Sequence, residues 1–175
     1  MRAKVNIFAA IAAAFMLGAL SSCAPRPETL SFAPPFPEMN ANGDPILADY
    51  VGRIPCAVAG CDRLKVELVL YRDRATGAPT TYWLGLIGAA GDDRVVTQGA
   101  WTVRRGVTGY PDATAYQLDE AAPADMRHYW RVNEDILLVL DESFTPRVGN
   151  GAWGYMLGRL TEPYGPRTYR MKGGS

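Results

Sequence analysis

The chain has 175 residues, which suits one domain and excludes two sizeable hydrophobic cores. Its 18 basic and 18 acidic residues balance, so no global positive field exists to attract nucleic acid. The 18 glycines and 13 prolines interrupt the chain too often for long helices, and the single histidine, His128, excludes a His-rich zinc site.

The N-terminus has the pattern of a bacterial export signal. A cationic start precedes an apolar run, Ile7 to Leu20, that matches a signal-peptide core and is short for a bilayer span. The residues Leu20-Ser21-Ser22-Cys23 then resemble the lipobox of bacterial lipoproteins. We predict that residues 1–22 are a lipoprotein signal peptide and that Cys23 is lipidated, anchoring the chain to the membrane; an ordinary secretory signal is the alternative. Ala24 at the next position implies the outer membrane of the cell envelope, by resemblance to the enterobacterial sorting rule.

The segment after the lipobox is rich in proline. Six of the 13 prolines lie between Ala24 and Pro45, where no apolar period is present. We therefore predict that residues 23–47 form a flexible, extended tether without packed structure. The alternative is that Phe32 and Phe36 pack onto the domain as a strap.

From residue 48 onward the sequence alternates with a period of two. In Leu64–Leu70 every second residue is aliphatic, whereas Lys65 and Glu67 point the other way, as expected of a half-buried strand. Eight segments of this kind are separated by turn residues: 48–54, 63–72, 79–88, 94–104, 113–119, 127–133, 135–141 and 152–160. We predict an all-β, antiparallel, up-and-down eight-stranded lipocalin-like barrel over residues 48–161, followed by a polar C-terminal tail, 162–175. A sandwich of the same strands is the alternative.

Three segments resemble a known family. They are the run from Tyr50 to Cys61, which contains Ile54-Pro55-Cys56, the triplet Gly99-Ala100-Trp101, and Leu137 to Asp141 with Pro146. Together they resemble the N-terminal domain of the NlpE-type copper-resistance and envelope-stress lipoproteins, over roughly Tyr50 to Leu160. The chain departs from the family in having four residues between its cysteines instead of two, and Phe144 where the family usually has glycine. The resemblance implies a lipocalin-like barrel, a sensor-protein partner in the Cpx envelope-stress system, and an association with copper.

The two cysteines of the domain, Cys56 and Cys61, have two interpretations. In the oxidising compartment that the signal peptide implies, they are expected to form a disulfide that closes a short loop. The alternative is a thiolate pair for Cu(I), because monovalent copper prefers sulfur ligands. The sequence therefore predicts no required cofactor, and copper is the metal ion that the alternative would bind.

The aromatic residues on the predicted strands are either barrel core or the lining of a ligand cavity. The candidates for the lining are Tyr82, Trp101, Tyr116, Trp130 and Tyr155. His128 has no activated-serine motif beside it, so we predict no enzyme. Two functions remain: a non-enzymatic sensing or interaction module in envelope stress or copper homeostasis, and a lipocalin-like carrier of a small hydrophobic ligand.

Overall fold

The structure, a computed structural model, describes residues 36–56, 61, 63–88 and 91–161. These ranges contain the strands β1 (Ile46–Pro55), β2 (Arg63–Arg72), β3 (Pro79–Gly88), β4 (Gly91–Val107), β5 (Tyr110–Leu118), β6 (His128–Arg131), β7 (Ile136–Leu140) and β8 (Met156–Arg159), with a 3₁₀ turn at Ala124–Met126. Each strand pairs antiparallel with the next, and β8 pairs with β1 to close a barrel. The predicted all-β, up-and-down barrel is confirmed, and the sandwich alternative is wrong. Within the described ranges no helix has the length and hydropathy needed to span a bilayer.

The bounds of β2 and β3 agree with the predicted segments, whereas β8 is much shorter than 152–160. The side-chain oxygen of Asn150 accepts hydrogen bonds from the backbone N–H groups of Ala152 and Trp153, at 3.0 and 2.8 Å. Those donors are held in a local turn, so they are not used in the strand ladder. β8 therefore begins only at Met156.

The barrel interior is filled over most of its height. Alternation directs the even-numbered residues of β1, β2 and β3 inward. On β6 and β7 it directs the odd-numbered residues inward. The largest fully buried members of this core include Tyr50, Leu68, Leu84, Tyr129 and Leu137. Burial of each such side chain contributes roughly 1.5–3 kcal/mol relative to exposure, so this cluster is the main source of stability.

Residues 36–45, which we call the strap, lie across the outer face of β2 and β3. Phe36 is 6% exposed, and its ring centroid is 5.5 Å from that of Trp83. The hydroxyl of Tyr71 donates a hydrogen bond to the carbonyl oxygen of Pro37 at 2.7 Å. The strap therefore covers an apolar patch on the outside of the barrel.

This packing corrects the prediction that residues 23–47 form a tether without packed structure. Within residues 36–47 the alternative is found, because Phe36 packs onto the domain and β1 begins at Ile46. Phe32 and the rest of the predicted tether before residue 36 lie outside the described residues. The packed domain therefore includes the last part of the proline-rich segment.

Candidate ligand site at the barrel mouth

A cavity of about 420 Å³ lies at the end of the barrel where β1 begins and β2 ends, which we call the mouth. Its volume is within the range of about 300–1,000 Å³ that is usual for small-molecule sites. The cavity is lined by Leu47, Ala48, Tyr50, Arg72, Gly77, Pro79, Trp101, Val103, Thr114, Tyr116, Arg131, Glu134 and Arg159. Most strands contribute to this wall, so the closed barrel itself positions the site.

One wall of the mouth is apolar. Trp101 is 3% exposed, and its indole N–H donates a hydrogen bond to the carbonyl oxygen of Tyr71 at 2.8 Å. The indole packs edge-to-face against Tyr116, with 5.0 Å between ring centroids. Val103, two residues further along β4, lines the same cavity and is 52% exposed. The mouth thus has a fixed, largely buried indole beside an exposed aliphatic side chain.

Two arginines reach the mouth because of strand alternation. Arg131 is the last residue of β6 and lies two positions after the interior residue Tyr129. Arg159 is the last residue of β8 and lies two positions after the interior residue Leu157. Both side chains therefore point to the inner side, at a level where the barrel opens to solvent.

The arginines have weak partners within the described residues. Arg159 donates a hydrogen bond to the carbonyl oxygen of Leu47 at 3.3 Å. A guanidinium nitrogen of Arg131 lies 3.5 Å from a carboxylate oxygen of Glu134, whose side chain is largely exposed. With Arg72, the described part of the cavity lining contains three arginines and one glutamate. The mouth is therefore positively charged in a protein with no net charge overall.

Two phenols also line the mouth. The hydroxyl of Tyr50 donates a hydrogen bond to the carbonyl oxygen of Glu134 at 3.1 Å. Burial raises the pKa of Tyr50 to about 12 and also raises the pKa of Tyr116, while Arg131 and Arg159 lower both pKa values in part. Both phenols are therefore protonated hydrogen-bond donors at neutral pH, and both feel the two guanidinium charges.

The structure separates the predicted cavity residues into two groups. Trp101 and Tyr116 line the mouth. Tyr82 is buried deeper, 1% exposed, and its hydroxyl donates to a carboxylate oxygen of Asp119 at 3.2 Å. Tyr155 packs against the edge of the core, beneath the guanidinium of Arg147 at 4.4 Å from its ring centroid.

The prediction for Trp130 is wrong. Its neighbour Tyr129 occupies the interior, so alternation places Trp130 on the outer face of β6. There its ring centroid is 4.6 Å from that of Tyr110, in a surface groove of about 670 Å³ between the start of β5 and the end of β6. We call this depression the outer groove. Sequence analysis also missed Tyr50, Arg131 and Arg159, because their even or odd positions indicate which face they occupy but not that they lie at the mouth.

His128 lies outside the mouth, on the outer face of β6. It is 8% exposed, and its ring centroid is 4.3 Å from that of Phe144. Burial lowers the pKa of His128, and the nearby charges of Arg104 and Arg127 lower it further. Phe144 has a positive φ of 59°, a conformation that favours glycine, and it is the position at which the NlpE-type motif usually has glycine.

Cys56 and Cys61 form a disulfide, as predicted, with 5.6 Å between their Cα atoms. In this bridged state neither sulfur is a thiolate, so Cu(I) binding at this pair would require prior reduction. Among the described residues no group of three or more His, Cys, Asp and Glu side chains is arranged to hold a metal ion. A role in copper homeostasis therefore stays a prediction.

We expect the purified protein, with Cys23 replaced so that it does not enter the count, to contain no free thiol and to bind Cu(I) only after reduction. Cys56→Ser should leave the barrel folded and lower the free energy of unfolding by at most about 2 kcal/mol, because the bridge closes a very short loop. Thiol titration under denaturing, non-reducing conditions and urea unfolding check both statements. Two titratable thiols together with stoichiometric Cu(I) binding by the untreated protein would contradict them.

No family model, curated protein or solved structure matches the chain. The resemblance to the NlpE-type lipoproteins thus stays a prediction from the motifs quoted above. The lipobox with Cys23 and the predicted tail 162–175 lie outside the described residues, so the structure does not bear on them.

Proposed function

We propose that the protein is a lipid-anchored, non-enzymatic binding protein of the bacterial envelope, and that its barrel mouth takes up a small molecule with an apolar part. The observation that carries this proposal is the mouth cavity of about 420 Å³, whose lining includes Trp101 and Val103. The lipobox ending at Cys23 supports the anchor and the compartment. Because the interior below the mouth is filled, the ligand enters only to a limited depth.

The exposed side chain of Val103 supports a ligand at this site. It belongs to an inward-facing position of β4, opposite Tyr116, yet 52% of its surface remains accessible. Covering that apolar surface would contribute about 1 kcal/mol to ligand binding. Trp101, which is 3% exposed, lines the cavity beside Val103, and its N–H is already hydrogen-bonded, so an apolar ligand that reaches the ring leaves no donor unpaired.

A neutral, apolar fluorescent probe tests the site. We expect N-phenyl-1-naphthylamine to bind saturably, with one molecule per chain, to the mature protein carrying Cys23→Ser. Val103→Trp should weaken this binding at least about tenfold, because the larger side chain fills the cavity. Val148→Trp is the matched control, since Val148 is 90% exposed and is not among the residues that line the mouth. Absence of saturable binding, or equal binding by both variants, would contradict the proposal.

The anchor is tested independently of the mouth. We expect Cys23→Ala to leave an unprocessed precursor or a chain that fractionates away from the membrane, because the lipobox cysteine is the proposed site of acylation. Membrane fractionation and the N-terminal mass measure this outcome. An unchanged membrane fraction with an unchanged N-terminal mass would contradict lipidation.

A second candidate function is that of a sensing or interaction module, as the resemblance to the NlpE-type family implies. The outer groove favours it, because Tyr110 and Val132 are exposed apolar residues beside the ring of Trp130. In addition, β6 pairs with β5 only from Thr114 onward, so the first residues of β5 extend beyond β6. Tyr110→Ala should impair an envelope-stress response if a protein partner binds here, and it should leave probe binding at the mouth unchanged.

A further inference from the structure

The mouth has two guanidinium groups as well as its apolar wall, and together they indicate which class of small molecule it binds. Tyr50 is the direct cross-strand partner of Arg159, and Thr114 is the direct cross-strand partner of Arg131. Side chains in such pairs stand about 5 Å apart at Cβ. Each arginine therefore has a hydroxyl-bearing neighbour on the strand beside it, and all four side chains line the same cavity.

The two arginines lie on strands that are both paired to β7. Leu137 of β7 is the cross-strand partner of Arg131 on one side and of Leu157 on the other. Arg159 lies two residues beyond Leu157 on the same face of β8, toward the mouth. The two guanidiniums therefore belong to the two strands that flank β7, whereas the apolar residues Trp101 and Val103 belong to β4.

The existing partners leave these guanidiniums able to bind an anion. A guanidinium has five N–H donors, and Arg159 uses one of its nitrogens for the carbonyl oxygen of Leu47. The contact of Arg131 with Glu134 is long, at 3.5 Å, and both side chains reach solvent. An ion pair of this kind is weak, so a better-placed anion can displace it.

We propose that the mouth binds an amphipathic organic anion, with a carboxylate held by Arg131 and Arg159 and an apolar body against Trp101 and Val103. This inference rests on the proposed binding function of the mouth and adds the class of ligand. The arginines fix the orientation, because the charged group stays on their side and at the solvent-exposed end. The filled interior limits the apolar body to a short chain or a small ring system.

Two probes with the same aromatic body test the charge requirement. N-phenyl-1-naphthylamine is neutral, and 8-anilinonaphthalene-1-sulfonate is the same molecule with an anionic group. We expect the anion to bind at least tenfold more tightly than the neutral probe, and this difference to shrink as salt concentration rises. Equal affinities would overturn the inference and leave the proposed function standing, whereas failure of the neutral probe to bind would contradict the proposed function itself.

Variants of the arginines separate charge recognition from apolar contact. Arg131→Gln and Arg159→Gln should each weaken binding of the anionic probe about tenfold and change binding of the neutral probe by less than about twofold. Arg53→Gln is the matched control, because Arg53 is exposed on the outer face of β1, opposite Lys65, and is not among the residues that line the mouth. Unchanged anion binding by both mouth variants, or equal weakening by the control, would overturn the inference.

A fourth variant is expected to bind the anionic probe more tightly. This test does not require that the protein folds normally when an arginine of the mouth is replaced. Glu134→Gln removes the one carboxylate among the described residues that line the cavity, and it keeps the backbone carbonyl that accepts the Tyr50 hydroxyl. Binding of the anionic probe should become about twofold to fivefold tighter, because Arg131 loses a competing anion. An unchanged or weaker affinity would count against the proposed site.

Competition identifies the anionic group. Decanoate should displace the anionic probe from the protein, whereas decanol, with the same chain and no charge, should displace it at least tenfold less well. Displacement by decyl phosphate without displacement by decanoate would overturn the assignment of a carboxylate. Equal displacement by decanoate and decanol would overturn the requirement for charge.

Discussion

Replacement of Trp101 by alanine is expected to lower the free energy of unfolding by roughly 3–5 kcal/mol, the usual cost of removing a large buried aromatic side chain. The indole is 3% exposed, packs on Tyr116 and donates its N–H to the carbonyl oxygen of Tyr71. The substitution therefore removes packing, leaves a cavity and takes away the indole hydrogen bond to a buried acceptor. Urea unfolding of the chain carrying Cys23→Ser measures the difference.

Two further variants separate the contributions at this position. Trp101→Phe keeps an aromatic ring but removes the N–H donor. We therefore expect its free energy of unfolding to lie between those of Trp101→Ala and the parent. Trp153→Ala is the matched control, because Trp153 is only half-buried in the loop before β8, where Arg63 lies 5.4 Å from its ring centroid. It should cost about 1 kcal/mol or less. An unchanged stability of Trp101→Ala would mean that the indole is not a core residue.

The effect of Trp101→Ala should also reach the strap. Tyr71 accepts the indole hydrogen bond with its carbonyl oxygen and donates its own hydroxyl to Pro37. One residue of β2 thus contacts the interior through its backbone and the strap through its side chain. Substitution of Trp101 removes the contact that fixes this backbone group from inside the barrel.

Alternation in the sequence predicts where the eight strands lie, although it overestimates the length of β8, because a residue's side of the sheet follows directly from its parity. It did not determine closure of the barrel. Closure depends on Tyr50 and Val51 pairing with Arg159 and Gly158, residues that lie more than a hundred positions away in the chain. A sandwich would bury the same alternating residues, so the two architectures have the same local pattern.

The candidate site was predicted only in part, for the same reason. Residue type suggested Trp130 for the cavity, yet parity directs Tyr129 inward and Trp130 outward. The arginines were missed because a charged residue in an alternating segment is normally assigned to solvent. At the end of a barrel, however, an inward-facing residue such as Arg131 also reaches solvent. Which residues lie at that level depends on how the strands are staggered, and the sequence pattern does not contain this information.

The sequence pattern favours a tether over a strap, because the contacts that hold the strap are non-local. A single aromatic residue in a proline-rich segment, Phe36, gives no periodicity that would indicate burial. Its burial depends on Trp83 and Tyr71, which belong to the odd-numbered, outward-facing set of β2 and β3. These outward-facing apolar residues form a patch on the outside of the barrel. Such a patch indicates that another segment covers it.

Asp49 is expected to make the protein less stable as the pH rises from about 4 to about 7. Its side chain is half-buried on the outer side of β1. Burial, followed by the nearby carboxylate of Glu67, raises the pKa of Asp49 from 3.8 to about 7, and Lys65 lowers it in part. The carboxylate of Glu67 contacts Lys65 and Arg94, and these contacts hold it in position. The charged form of Asp49 is thus disfavoured in the folded protein.

The sign of the pH dependence follows from proton binding in the two states. Below pH 4 Asp49 is protonated in both the folded and the unfolded chain, so it contributes no difference. Between pH 4 and pH 7 the unfolded chain loses this proton while the folded chain keeps it, so the free energy of unfolding falls as pH rises. Above pH 7 Asp49 is ionised in both the folded and the unfolded chain, and the free energy of unfolding stays lowered by the full amount. A pKa of about 7 corresponds to ~4 kcal/mol by linkage, which partial contact with solvent reduces to about 2 kcal/mol.

Asp49→Asn should remove this contribution, because the amide has the same shape and no charge. We expect the variant and the parent to have similar stability at pH 4, and the variant to be more stable by about 2 kcal/mol at pH 8. Urea unfolding at unit pH intervals measures the difference between the two proteins, so that the titration of all other groups cancels. Asp112→Asn is the control, since the Asp112 side chain is 83% exposed and its ion pair with Arg105 lies in solvent. Parallel pH profiles for Asp49→Asn and the parent would show that Asp49 ionises equally easily in the folded and the unfolded chain.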